Sequence, residues 1–195
     1  MTHAGDSGLS TTRLAIRPWR LDEADRFFDI YRRVEVTRWF ASTPMQDRRE
    51  AVERIERNIA QLAADPRLGA WAVVERASGV PAGTVILRPL PDGAGEIEIG
   101  WHLHPDRWGR GFATEAAAAV LARGFADGLS EVWAVTDPGN RPSIAVCQRI
   151  GMRLLGITRR WYHEPSLMFW AGSRSDQKPS LRPDEPPPSL SDGAG

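Results

Sequence analysis

Glu96-Ile97-Glu98-Ile99-Gly100-Trp101-His102-Leu103-His104-Pro105-Asp106-Arg107-Trp108-Gly109-Arg110-Gly111-Phe112-Ala113-Thr114-Glu115-Ala116 is the stretch whose reading decides the fold. Its first half alternates Glu and Ile, the period of a strand with two unlike faces. Glycines at 109 and 111 then permit a tight turn and a close approach of backbone to a ligand. From Thr114 onward, the run Ala116 to Leu121 reads as a helix. A strand that passes through a glycine turn into a helix N-terminus presents backbone N–H groups with no partner of their own. The helix dipole adds partial positive charge at the same place, so the turn is a ready anion site.

Within the strand, Glu96, Glu98, Gly100, His102 and His104 fall on one face, and Ile97, Ile99, Trp101 and Leu103 on the other. Upstream, Arg13 to Trp19 reads as a strand. Residues 22–34 read as an amphipathic helix with Asp22 as its N-cap. A second helix starts at Thr43-Pro44 and runs to about residue 64, where Asp65-Pro66 ends it. Strands at 71–75 and 84–88 precede the one at 96–103, with turns at 79–83 and 91–95 that imply an antiparallel meander.

Downstream, the Ala-rich helix covers 114–127 and a strand covers 131–136. A short helix from Ser143 to Ile150 stops at Gly151, and strands at 152–158 and 167–170 close the pattern. The expected class is α/β: a mixed, largely antiparallel twisted sheet of about seven strands flanked by about four helices. The expected boundaries are a flexible leader over 1–11, one domain over 12–172, and a disordered Pro-rich tail over 173–195.

Composition narrows the function. The 25 basic and 25 acidic residues leave no net charge, so no global field favours nucleic acid or a membrane surface. A single cysteine, Cys147, excludes an internal disulfide framework and a cysteine-rich metal site. The N-terminus carries no signal-peptide pattern and no segment is apolar enough to span a bilayer, so the expected location is the cytoplasm. His102 and His104 form an H-x-H pair without a third ligand at a matching spacing, and ordinary strand histidines are expected rather than a metal site.

Two nucleotide-binding patterns fail at particular residues. A dinucleotide fingerprint needs a third glycine where Thr114 stands, and an acidic residue at the end of the following strand, whereas Glu131 begins it. A Walker-type loop needs Gly-Lys-Ser/Thr, which is missing.

The turn Trp108-Gly109-Arg110-Gly111-Phe112-Ala113-Thr114-Glu115-Ala116, followed by Asn140-Arg141-Pro142-Ser143 and then Ile150-Gly151-Met152, resembles the GCN5-related N-acetyltransferase superfamily over about Thr12 to Trp170. The nearest likeness is to its ribosomal-protein alanine acetyltransferase branch, where a tryptophan at the position of Trp108 is familiar. The resemblance implies a sheet whose central strands splay into a V that takes the pantetheine arm of acetyl-CoA. It implies that backbone around Trp108, Gly109, Arg110, Gly111, Phe112, Ala113 and Thr114 holds the pyrophosphate, and that Leu103 pairs with the pantetheine amides. Asn140 and Ser143 are expected near the pantetheine and the thioester sulfur.

The implied reaction is direct attack of a primary amine, either a protein N-terminal α-amine or a small-molecule amine, on the thioester in a ternary complex. Glu98 is the candidate base, with His102 in reserve and Gly100 leaving room for the acetyl group. Many relatives carry a tyrosine that protonates the leaving thiolate. This chain has Cys147 there, and Ser143 is the candidate acid. Trp39, Phe40, Trp101 and Trp161 are candidates for the acceptor pocket. No metal is implied, and a homodimer is compatible with the family. The competing reading is a non-catalytic acyl-CoA-binding module or sensor that keeps the turn without the acid and base.

Overall fold

A computed structural model describes residues 8–40, 43–162, 164–174 and 177–186. Among these residues the strands are β1 (Leu9–Ser10), β2 (Leu14–Pro18), β3 (Gly69–Glu75), β4 (Pro81–Pro89), β5 (Ile97–Leu103), β6 (Glu131–Thr136), β7 (Arg153–Thr158) and β8 (Ser166–Gly172). The α-helices are α1 (Ala24–Tyr31), α2 (Val34–Thr37), α3 (Arg48–Ala64), α4 (Phe112–Ala126) and α5 (Arg141–Arg149). One sheet holds all the strands in the order β1-β2-β3-β4-β5-β6-β8-β7.

Every neighbouring pair in the sheet is antiparallel except β5 and β6. That parallel pair meets at a single register position, Glu98 opposite Trp133. Beyond it the ladder stops, while β5 stays paired with β4 out to Gly83 opposite Leu103. The C-terminal half of β5 therefore has one paired edge and one open edge. This is the expected V, and its unpaired backbone groups must find partners in solvent or in a bound chain.

Helices cover both faces of the sheet, which explains the continuous apolar run of β3. Trp71 and Val73 of β3 join Ile99, Leu103 and the α4 residues Phe112, Ala116, Ala117, Val120 and Leu121 in the largest core cluster. The alternate residues Ala72 and Val74 pack with Trp19, Phe27, Ile30, Tyr31 and Ile55 beneath α1 and α3. The alanines of α4 let that helix lie close to the sheet. At Gly124 an added Cβ would sit 3.1 Å from Leu87, so even alanine is crowded there.

Several boundaries differ from expectation. The segment 22–34 breaks into a 3-10 turn at Leu21–Glu23 followed by α1 and α2. Its capping box uses Arg20 and Glu23, and Asp22 instead pairs with Arg20 at 2.7 Å. Helix α3 begins at Arg48, not at Pro44, because the Asp47 carboxylate accepts the Glu50 N–H at 3.1 Å and fixes the first turn.

Leu9–Ser10 of the expected leader pairs with β2. Within the expected tail, residues 177–186 make hydrogen bonds to the sheet. Ile157 exchanges backbone hydrogen bonds with Asp184 and Glu185, and the Ser180 N–H donates to Glu131 at 3.1 Å. Residues 1–7, 175–176 and 187–195 lie outside the described residues.

Candidate active site

The turn after β5 is built from backbone. Pro105–Arg107 forms a 3-10 turn, and the Trp108 N–H donates to the Pro105 carbonyl at 3.1 Å. Gly109 and Gly111 have φ of +72° and +75°, conformations that side-chain-bearing residues adopt at a cost. Helix α4 starts immediately afterwards, and no side chain caps it. Among the described residues, none of the backbone N–H groups from Gly109 through Thr114 has a hydrogen-bond acceptor. Six consecutive donors at a dipole's positive end form an anion cradle.

Side chains brace this turn without filling it. The Arg110 guanidinium pairs with Glu75 of β3, and Arg13 pairs with Glu115 at 2.7 Å. Arg13 also donates to the Arg110 carbonyl at 2.9 Å, holding that carbonyl back against the body of the protein. Both arginines lie over the Phe112 ring. The Ser78 hydroxyl and Arg110 hold the Glu75 carboxyl below its ordinary pKa. Burial opposes the charge on Glu115, but Thr11 and Arg13 outweigh it and lower that pKa too.

The other side of the V is built from side chains. Glu98 is buried on the β5 face away from α4. One of its oxygens accepts from Arg88 Nε of β4 at 2.8 Å, and the other accepts from the Tyr162 hydroxyl at 2.8 Å. Burial, followed by the neighbouring Glu98 charge, pushes the Tyr162 phenol well above its ordinary pKa, so it stays protonated and remains a donor. Further along the same face, the His102 Nδ1 lies 3.1 Å from the Tyr31 hydroxyl, and the Phe40 ring stacks on the imidazole at 4.2 Å between centroids. Burial, with Arg88 and Arg54 nearby, lowers the His102 pKa to about 3. The ring is neutral at pH 7 and a weak base.

Beyond Phe40 and Tyr31 opens a cavity of about 280 Å³ whose far wall is α3. Trp39 reaches the opposite lip: a Cβ added to Gly139, in the loop after β6, would lie 3.8 Å from its ring. At that lip the Asn140 side chain accepts the Ser143 N–H at 3.2 Å and caps α5. The half-buried Ser143 hydroxyl makes no hydrogen bond among the described residues. Cys147 lies one helical turn further on, completely buried, with its thiol pushed up to about 12 by desolvation. That site is closed to a substrate and retains its proton.

Four expectations change here. The Leu103 carbonyl already accepts the Trp108 indole N–H at 2.8 Å, so any pairing with a ligand would share it. Gly100 does not leave open room, because a Cβ there would come 3.0 Å from Ile86, which fills the space. Trp101 packs with the α4 core on the face away from Glu98. Trp161 is buried against Trp133 with ring centroids 5.9 Å apart. His104 Nε2 lies 2.9 Å from the Asp29 carboxylate and its Nδ1 accepts the Asp106 N–H at 3.1 Å, tying the end of β5 to α1.

Sequence reasoning missed Arg88, Tyr162, Tyr31 and Arg54. For Arg88 a signal exists: a hairpin centred on Gly93 sets it opposite Glu98 across β4 and β5. The others arrive from distant segments and carry no local pattern.

The comparisons with known proteins agree with this geometry. The family model described as the acetyltransferase (GNAT) domain matches residues 13–153. The uncharacterized N-acetyltransferase YoaA of Bacillus subtilis strain 168 is 28% identical over 172 residues, covering 88% of this chain and 97% of that protein. Among solved structures, a GNAT-family acetyltransferase from Bacillus anthracis superposes with a TM-score of 0.74 at 21% identity, covering 85% of this chain and 98% of that one. Mycobacterium smegmatis RimJ, solved with CoA-disulfide, superposes with a TM-score of 0.67 at 24% identity, covering 82% and 81%.

The fold and the family match define an acetyltransferase, and the chain belongs to the GNAT acetyltransferase family. It is an N-acetyltransferase, of a family that moves an acetyl group from acetyl-CoA to an amine. Among the described residues no helix is long and apolar enough to cross a membrane.

Proposed function

We propose that this chain acetylates a primary amine by direct attack on acetyl-CoA in a ternary complex, with the pyrophosphate on the 109–114 backbone and the pantetheine arm along the open edge of β5. The observation that carries this reading is the row of unpartnered N–H groups from Gly109 to Thr114 at the mouth of the V. The resemblance of the Trp108 turn to the ribosomal-protein alanine acetyltransferase branch supports a protein N-terminal α-amine among the acceptors, beside small-molecule amines.

In this reading the amine nitrogen attacks the thioester carbonyl, the new C–N bond forms, and the C–S bond breaks. An α-amino group has a pKa of about 7.7–8.0, so the attacking nitrogen must lose a proton. Glu98 accepts it, directly or through one water. Arg88 and Tyr162 hold the carboxylate in one orientation, which favours proton transfer at a fixed atom. His102 is the weaker choice, because a ring with a pKa of about 3 holds a proton poorly. The departing thiolate takes a proton from the Ser143 hydroxyl, which solvent resupplies. Cys147 takes no part because it is buried.

The buried cysteine at the place of a tyrosine acid favours one second reading, a CoA-binding module without turnover. Thiol release from acetyl-CoA across a panel of amines and N-terminal peptides separates the two. The transferase reading predicts acceptor-dependent release. CoA binding with no release on any acceptor supports the module, and no CoA binding overturns both.

A further inference from the structure

The cavity behind Phe40 has a charged wall. Arg54 and Arg57 of α3 line it, together with Glu50 and Glu53. Both carboxylates are already engaged. Glu50 accepts the Gln46 N–H at 3.0 Å, and Glu53 pairs with Arg49 at 3.8 Å. Among the described residues, Arg54 and Arg57 make no hydrogen bond or ion pair. They line the cavity beside the apolar side chains of Tyr31, Phe40 and Met45 and the hydroxyl-bearing Thr43.

The cavity adjoins the reacting face. Phe40 and Tyr31 line it and also touch His102, which shares a strand face with Glu98. Arg54 and Arg88 both act electrostatically on Tyr31 and His102. Arg54, Arg57 and Arg88 therefore bring positive charge to the acceptor side of the V, where Glu98 is paired with Arg88. A purely cationic amine gains no partner from Arg54 or Arg57. An amine with an attached anion brings its own compensation.

Resting on the transferase reading above, we infer that the acceptor is a small amine carrying a carboxylate or a phosphate, with that anion bound by Arg54 and Arg57 and its amine directed past Phe40 toward Glu98. Guanidinium forks match both oxyanions in geometry and give charge-assisted hydrogen bonds. An enclosure of about 280 Å³ suits an amino acid or an aminoalkyl phosphate.

Matched pairs of compounds test this. Glycine against glycinamide, and phosphoethanolamine against ethanolamine, serve as acceptors and report which anion is preferred. The expected result is a preference of at least about tenfold in kcat/KM for one or both anionic members, the worth of one charge-assisted hydrogen bond. The double substitution Arg54→Gln, Arg57→Gln removes that preference and leaves acetyl-CoA affinity unchanged. Both residues lie on the exposed side of α3, so the variant folds.

Binding is read apart from turnover by calorimetric titration of N-acetylglycine against N-acetylglycinamide into the protein with and without CoA. Tighter binding of the anion, lost in the double variant, supports the inference even where no acceptor turns over. Equal or tighter binding of the neutral amide, or a preference that survives the double substitution, overturns it. Failure to bind acetyl-CoA at all contradicts the transferase reading instead.

Discussion

The two sides of the V are made of different material. The side after β5 is backbone: six N–H groups between Gly109 and Thr114, held open by two positive-φ glycines and an uncapped helix. The facing surface is side chain: Glu98 between Arg88 and Tyr162, and His102 between Tyr31 and Phe40. A backbone cradle binds any ligand with the right phosphates and tolerates change in side chains. A side-chain network specifies one chemistry and depends on each member. The account therefore assigns cofactor affinity to the first region and rate and acceptor choice to the second.

Substitutions that separate these properties should act on one region alone. The largest expected effect is on the backbone side. Gly111→Val puts a β-branched residue at φ +75° and crowds the cradle, so acetyl-CoA affinity measured calorimetrically falls by about a hundredfold or more. Arg110→Ala, which removes a brace to Glu75 and a contact over the Phe112 ring but no backbone donor, changes it by less than about threefold. The reverse order would mean that side chains hold the phosphates.

Glu98→Gln should lower kcat by about a hundredfold with acetyl-CoA affinity unchanged, and the loss should deepen at low pH, where the amine most needs deprotonation. A pH–rate profile of unchanged shape removes Glu98 as the base. Tyr162→Phe leaves Glu98 with Arg88 as its remaining side-chain partner and is expected to cost roughly threefold to tenfold in kcat. An unaltered rate would reduce Tyr162 to packing.

The smallest effect is on stability. The His102 pKa is about 3 in the folded chain against an ordinary 6.5. The neutral ring's contribution is therefore full above pH 6.5 and is lost as pH falls from there toward 3. Between pH 7 and pH 5 this amounts to up to about 2 kcal/mol. His102→Phe should flatten the decline of Tm over that interval. An identical decline in both proteins removes His102 as its source.

The same division decides what was legible in the sequence. The cradle is local: a strand, Gly109, Gly111 and a helix start lie within about ten residues, and local backbone geometry follows from local residue type. The face of Glu98 was legible from β-alternation, and the opening between β5 and β6 from the family resemblance. The partners of Glu98 were not, because Arg88 depends on hairpin register and Tyr162 enters from the loop between β7 and β8. Gly100 misled for the same reason. Its missing side chain reads as open space, but Ile86 of the neighbouring strand fills it. The start of α3 was misplaced because Thr43-Pro44 has the form of a helix start, while the Asp47 side chain supplies the cap. The hydrogen bonds of residues 177–186 to Ile157 and Glu131 were not legible because they are long-range.

Amide hydrogen exchange with and without CoA tests the division most directly. The account predicts that CoA slows exchange at the amides of Gly109 through Thr114 and along the open edge of β5, with little change in α3 around Arg54. Unchanged exchange from Gly109 to Thr114 on a protein that binds CoA would contradict it.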